Sequence, residues 1–176
     1  MRCWGGVEAR PGRRQLGHMS AFTRIDFRTS EALNVDDPEK RRPLLLAGEA
    51  LHRQLRPLLE ADYPAQIERL FPDGARLAQV VDEGEVRAIA LWRVFETTYC
   101  GWRLEIEDLV SDEAHRSKGY GAAMLRWLHD QAVALGCPTT TLISGTHRTR
   151  AHRFYFREGY AITAFHFVRE TGVVPS

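Results

Sequence analysis

The chain predicts an α/β fold: a single domain with a central mixed, twisted sheet and helices on both faces. Two observations carry this. Strand-like and helix-like stretches follow one another as β, α, α, β, β, β, α, β, α, β. One stretch, Leu104 to Leu135, passes from a strand through a polar glycine turn into an apolar-periodic helix. Helices that connect strands must pack on the sheet they connect, so both faces become covered. At 176 residues one domain is expected, with enough chain for a substantial core. That domain is placed at residues 21–176, behind a leader of residues 1–20.

Composition excludes several classes. A hydrophobic fraction of 44% and a charged fraction of 27% are ordinary for a globular protein. The net charge of +1 makes no electrostatic case for nucleic acid or a membrane surface. No apolar run approaches the roughly 18 residues that a membrane helix needs. Cys3, Cys100 and Cys137 are odd in number and irregular in spacing. They argue against a disulfide framework and fit a reducing, cytoplasmic compartment.

The elements follow in order. Residues 1–20 are rich in Gly and Arg, lack an apolar period and lack the core of a secretory signal. They read as a disordered leader, with Met19 an alternative start. Phe22 to Arg28 alternates apolar and polar and reads as a first strand. Asp36-Asp37-Pro38-Glu39 is a helix-start signature. Leu44, Leu45, Leu51, Leu55, Leu58 and Leu59 then form an amphipathic helix or helix pair, with Pro43 and Pro57 near its ends or at a kink. Ala65 to Phe71 is a short second helix and Pro72-Asp73-Gly74 a turn.

Arg76 to Val81 and Glu85 to Phe95 flank Asp82-Glu83-Gly84 as a β-hairpin. Tyr99 to Gly101 turns into a strand from Trp102 to Val110. A glycine loop and a helix to Leu135 follow, with Gly136 where a helix C-cap belongs. Thr139 to Ile143 is β-branched and reads as a strand. Arg150 to Arg157 is a short helix closed by Gly159, and Tyr160 to Val168 a last strand.

Two motifs carry chemistry. The first is Arg116-Ser-Lys-Gly-Tyr-Gly121 between a strand and a helix. The first helical N–H groups lack intrahelical partners, and the helix dipole favours negative charge there. Gly119 and Gly121 let backbone approach an anion closely, and Arg116 and Lys118 add positive charge. A glycine helix cap would look the same. It is neither a Walker loop nor a dinucleotide fingerprint, since Met124 occupies the third glycine position. The second motif is Ala151-His-Arg-Phe-Tyr-Phe-Arg-Glu-Gly-Tyr160, with Ala151, Phe154 and Tyr155 at helical spacing. By itself it would serve equally as a core helix with a capping glycine.

R-x-x-G-x-G followed by A-x-x-F-Y-x-x-x-G-Y resembles the GNAT family of N-acetyltransferases. The resemblance covers roughly Arg76 to Val168 and is most specific from Leu104 to Tyr160. It implies a GNAT fold short of one final strand. It implies an acyltransferase that moves an acetyl group from acetyl-CoA to a primary amine by direct attack in a ternary complex. Arg116, Ser117, Lys118, Gly119, Tyr120, Gly121 and Ala122 would hold the pyrophosphate, mostly through backbone N–H groups. Leu109, Val110 and Ser111 would pair with the pantetheine arm beside a strand bulge, and Ala151 would also line the cofactor. Tyr155 matches the family's general acid, which protonates the leaving thiolate. Two positions depart from the common pattern: Asp112 replaces a frequent proline, and Arg148 a frequent asparagine.

An attacking ammonium must first lose a proton, and a strand carboxylate can take it, directly or through water. Glu107 is the first choice and Glu105 the second. The alternative is that these acids solvate a face or bind a cation. Period-two geometry puts Glu105, Glu107 and Leu109 on one face, and Leu104, Ile106 and Asp108 on the other. Asp108 then becomes a buried, hydrogen-bonded acid unless a bulge turns it over.

His147 and His152 are five apart with no third ligand, so no metal is expected. Trp92, Phe95, Tyr99 and Trp102 read as sheet packing. His52, Arg53 and Arg56 on the first long helix could face an acceptor groove. The rival readings are an acyl-CoA-binding module without turnover, and a ribosome- or nucleic-acid-associated module built on the Arg-rich leader and the arginines at 148, 150, 153 and 157. The expected partner is a small-molecule or protein amine, with a homodimer possible and no nucleic acid or membrane.

Overall fold

The computed structural model describes residues 26–28 and 37–172. The leader, the start of the first expected strand at Phe22 to Ile25, and Asp36 lie outside the described residues. The elements are β1 (Asp26–Arg28), α1 (Pro38–Leu55), α2 (Tyr63–Glu68), β2 (Arg76–Asp82), β3 (Glu85–Thr97), β4 (Gly101–Ser111), a 3-10 turn (Glu113–His115), α3 (Tyr120–Ala134), β5 (Thr139–Leu142) and α4 (Thr149–Arg157).

The five strands form one sheet in chain order, β1-β2-β3-β4-β5. The first four run antiparallel, and β5 lies parallel to β4. The β2–β3 connection has positive φ at Glu83 (53°) and Gly84 (79°), as a two-residue hairpin requires. The parallel step from β4 to β5 needs a crossover, which α3 supplies.

Two apolar layers sandwich the sheet. On one face α1 and α2 press Leu45, Leu51, Tyr63 and Ile67 onto Leu77, Ile89 and Leu91. On the other, α3 presses Met124, Leu125 and Leu128 onto Trp92, Leu104 and Ile106, with Phe154 and Tyr155 of α4 at the margin. Each such side chain contributes about 1.5–3 kcal/mol when fully buried.

Local signals explain the helix ends. The Asp37 carboxylate caps α1, accepting from the Glu39 N–H at 3.1 Å. Pro43 lies inside α1, which runs on as one helix rather than a pair and stops before Pro57. Asp62 caps α2 through the Ala65 N–H at 3.3 Å. After α3, Gly136 at φ 71° lets the Cys137 N–H reach the Ala132 carbonyl at 2.8 Å and the Gly136 N–H the Val133 carbonyl at 3.1 Å.

Two expectations are corrected. Tyr160 to Val168 is not a strand: it carries no sheet pairing among the described residues, and Ile162, Phe165, Phe167 and Val168 are exposed. An alternating pattern forms a strand only where a neighbour supplies hydrogen bonds, and β5 pairs only with β4 among the described residues. The second correction concerns the faces of β4. Leu91 pairs with Asp108 while Trp92 pairs with Ile106, so Glu107 is an extra residue in β4. This bulge puts Glu107 and Asp108 consecutively on the α1–α2 face. Leu109 moves to the α3 face, where it packs with that core.

Candidate active site

The site begins where the sheet opens. β5 pairs with β4 from Arg103–Thr139 to Ile106–Leu142 and no further. Among the described residues, Asp108 to Ser111 of β4 pair only on the β3 side, with Glu107 the bulged residue before them. Its other edge, at Leu109, Val110 and Ser111, keeps backbone donors and acceptors for an added strand-like partner.

The glycine loop lies at the end of this gap. Arg116, Ser117 and Lys118 are exposed; Ser117 takes φ 67° and Gly119, the residue preceding α3, φ 90°. The first helical bond in α3 is Ala123 N–H to Gly119 O at 2.8 Å. The N–H groups of Tyr120, Gly121 and Ala122 precede it, and a glycine cap offers them no side-chain oxygen. The Arg116 guanidinium pairs with Glu113. The Tyr120 side chain turns inward and donates to Asp82 of β2, so only its backbone faces the loop. A Cβ on Gly121 would lie 3.4 Å from Phe154 Cζ and 3.8 Å from Ser111 Oγ. Gly121 therefore sits where α3, the end of β4 and α4 converge. The two motifs of the sequence meet at this point.

Tyr155 of α4 is half-buried, with Tyr160 stacked edge-on at 5.8 Å. Burial pushes its phenol pKa up, Arg148 opposes this, and the Asp108 carboxylate reinforces it. The phenol therefore stays protonated at neutral pH. Ala151 lies one turn earlier on the same helix and is partly buried. His152 Nε2 lies 3.0 Å from the Gly145 carbonyl, so this ring pins the β5–α4 turn. Among the described residues no cluster of three or more His, Cys, Asp or Glu is arranged to hold a metal ion.

The strand acids all face the α1–α2 side, and each has an arginine partner. Glu105 pairs with Arg103 at 3.2 Å and accepts from the Thr141 hydroxyl. Glu107 pairs with Arg93, which also donates to the Asp73 carbonyl at 2.9 Å. Asp108 accepts from Arg56 Nε at 2.8 Å on Oδ1 and meets His52 Nε2 at 3.0 Å on Oδ2. Burial would raise the Asp108 pKa, but the His52 and Arg56 hydrogen bonds outweigh it and hold the carboxyl below its ordinary value. Behind His52, its Nδ1 lies 3.1 Å from the hydroxyl of fully buried Tyr63. Burial holds that phenol pKa well above its ordinary value, so it keeps its proton.

The Tyr63–His52–Asp108–Arg56 chain is the feature that sequence reasoning missed as a unit. The sequence marked His52, Arg53 and Arg56 as residues that could face an acceptor groove; Arg53 instead donates to Glu49 and to the Leu59 and Glu60 carbonyls, and the bulge that brings Asp108 to the other two is a property of pairing with β3. Asp108, His52 and Arg56 form one wall of a cavity of about 480 Å³ between α1, α2 and β4.

Known proteins share this architecture. Residues 45–160 match the model of the acetyltransferase (GNAT) family. An uncharacterized N-acetyltransferase of Bacillus subtilis, YhdJ, is 41% identical over 115 residues, 61% of this chain and 80% of that protein. The aminoalkylphosphonate N-acetyltransferase of Salmonella typhimurium is 34% identical over 84 residues, 48% of this chain; the match spans about half of that relative, 54% of its length. Among solved structures, aminoglycoside N-acetyltransferase AAC(6')-Iy in complex with CoA superposes with a TM-score of 0.70 at 14% identity, covering 85% of this chain and 96% of that one. A putative acetyltransferase from Agrobacterium tumefaciens gives 0.67 at 23% identity, covering 83% of this chain and all of that one. The family match spans well over half the chain and falls on the split sheet and both motifs: this chain belongs to the acetyltransferase (GNAT) family.

Proposed function

We propose that the chain transfers an acetyl group from acetyl-CoA to the nitrogen of a primary amine. The observation that carries the reading is the edge of β4 from Glu107 to Ser111, unpaired among the described residues and ending at the glycine-capped start of α3. The residues there fit the cofactor: an extended amide arm can pair with Leu109, Val110 and Ser111, and a pyrophosphate can accept from the N–H groups at 117–122. Arg116 and Lys118 supply charge at the rim.

The chain's own groups then divide the work. Backbone N–H near Leu109 polarises the thioester carbonyl. Glu107, the extra residue of the bulge, takes the proton that the amine must lose, directly or through one water, with Glu105 behind it. The Tyr155 phenol, kept protonated by burial, gives its proton to the departing thiolate. The amine attacks directly, with no acyl-enzyme: Cys100 lies in the β3–β4 turn and Cys137 is buried beyond α3, both outside the two motifs. Within the described residues no helix is long and apolar enough to cross a membrane. A reducing, cytoplasmic setting agrees with the cysteine pattern.

Calorimetric titration with acetyl-CoA, followed by an acceptor screen reading free-thiol release, tests this. Micromolar binding and amine-dependent thiol release are expected. Binding without release across a broad amine panel would reduce the protein to an acyl-CoA-binding module, and no binding would remove the cofactor reading altogether.

A further inference from the structure

The cavity between α1, α2 and β4 has a character that narrows the acceptor. Aliphatic side chains make up most of its wall: Leu55, Leu58, Leu59, Ile67, Leu70 and Leu91. Its charged groups are gathered on one wall, where Asp108 and Arg56 neutralise each other. Asp108 also belongs to the stretch of β4 that loses its β5 partner, and its charge is felt by Tyr155. The carboxylate therefore lines the cavity on the same stretch of β4 along which the acyl arm would lie. Arg56 occupies Oδ1 and His52 meets Oδ2, yet a carboxylate has about four acceptor positions, so capacity remains for an incoming N–H.

We infer that the acceptor is a small primary amine carried on an apolar body, seated in this cavity with its nitrogen on Asp108. This rests on the acyltransferase reading above. Size, polarity and charge all favour such a ligand. A volume of about 480 Å³ lies in the range of small-molecule sites, roughly 300–1,000 Å³. Sugar hydroxyls or a second ammonium group placed among these leucines would lose water without gaining partners. The other strand acids bring no surplus negative charge, because Arg103 answers Glu105 and Arg93 answers Glu107. A polycation would meet these arginines as well as the acids. A neutral wall also suits the chemistry: it accepts an N–H of the amine without strongly favouring the ammonium form, which cannot attack. Leu58, 95% exposed beside the cavity, adds apolar surface where solvent meets it.

The test compares n-hexylamine, spermidine and glucosamine by thiol release at fixed acetyl-CoA. Hexylamine should lead in kcat/KM by more than about tenfold. Asp108→Asn should raise the KM for hexylamine by about tenfold, the scale of one hydrogen bond to a charged group, and leave acetyl-CoA affinity unchanged by calorimetry. Leu58→Lys, at a fully solvated position that folding does not depend on, should lower kcat/KM for hexylamine without moving the KM for acetyl-CoA. Spermidine or glucosamine as the preferred acceptor would overturn the inference, as would an unchanged hexylamine KM in Asp108→Asn. Titration of hexylamine without any acyl donor separates the two readings. Binding that Leu58→Lys weakens supports the cavity even where acetyl-CoA fails to bind; no binding by the folded wild-type chain overturns it.

Discussion

His52 and Asp108 sit 3.0 Å apart, Nε2 to Oδ2, joined from helix α1 to strand β4 across 56 positions of sequence. The contact exists because a single extra residue, Glu107, turns Asp108 toward the helix layer. Arg56 completes the cage one helical turn after His52.

The cage has a pH signature. Asp108 titrates below its ordinary value in the folded protein and at that value when unfolded. Its ionised form is therefore favoured by folding. This contribution is complete above the ordinary carboxylate pKa and fades as pH falls through the lowered one. Denaturant titrations at a series of acidic pH values should show wild-type stability falling more steeply than that of Asp108→Asn. Parallel pH profiles for the two proteins would show that the cage adds nothing to stability.

Gly48 in α1 faces Gln79 of β2. A Cβ there would lie 2.6 Å from Gln79 Nε2 and 3.0 Å from Ile89 Cδ1. Alanine in a helix interior gains roughly 0.5–1 kcal/mol over glycine. Overpacking a tight contact loses about 1–3 kcal/mol, and Gln79 cannot retreat without giving up its 3.0 Å hydrogen bond to the Leu44 carbonyl. Gly48→Ala should therefore destabilise by about 1–2 kcal/mol in chemical denaturation. A stabilised variant would mean that α1 shifts freely on the sheet.

Gly121 separates two sizes of substitution. Alanine would bring its Cβ to 3.4 Å from Phe154, ordinary contact. Tryptophan would fill the space between α3, α4 and Ser111. Gly121→Ala should retain acetyl-CoA binding by calorimetry, whereas Gly121→Trp should lose it. Equal affinity in both would place the pyrophosphate elsewhere.

Tyr155→Phe removes a proton donor and little volume. It should lower kcat by about a hundredfold, the usual scale for general acid catalysis, with acetyl-CoA affinity unchanged. Because the phenol pKa is raised, the ratio of wild-type to variant rates should stay constant from neutral pH up to about pH 9, below the ordinary tyrosine pKa. A ratio that collapses within that range would assign the proton to another group.

Local signals made much of the fold legible. The Asp82-Glu83-Gly84 hairpin, the Leu125, Leu128 and Ala132 positions of the α3 stripe, and the Gly136 and Gly159 caps each follow from a few neighbouring residues. Both motifs fell at the convergence point around Gly121, because a helix start and a strand end are local events. The turn of Asp108 toward α1 was not legible in the same way. A bulge is decided by the register between two strands, and nothing in Glu105-Ile-Glu-Asp108 announces which residue is skipped. The last expected strand failed for a related reason. Ile162, Phe165 and Phe167 have the composition of a strand, but pairing is a property of the neighbour.

The matching of each strand acid with an arginine bears on how quickly an acceptor arrives. Charged clefts draw oppositely charged ligands from a distance, and salt weakens that pull. Here Arg103 with Glu105, Arg93 with Glu107 and Arg56 with Asp108 leave dipoles in place of a net field. Acceptors should reach this cleft by unguided diffusion. Their association rate should therefore change little with ionic strength, and selectivity would rest on how long each remains.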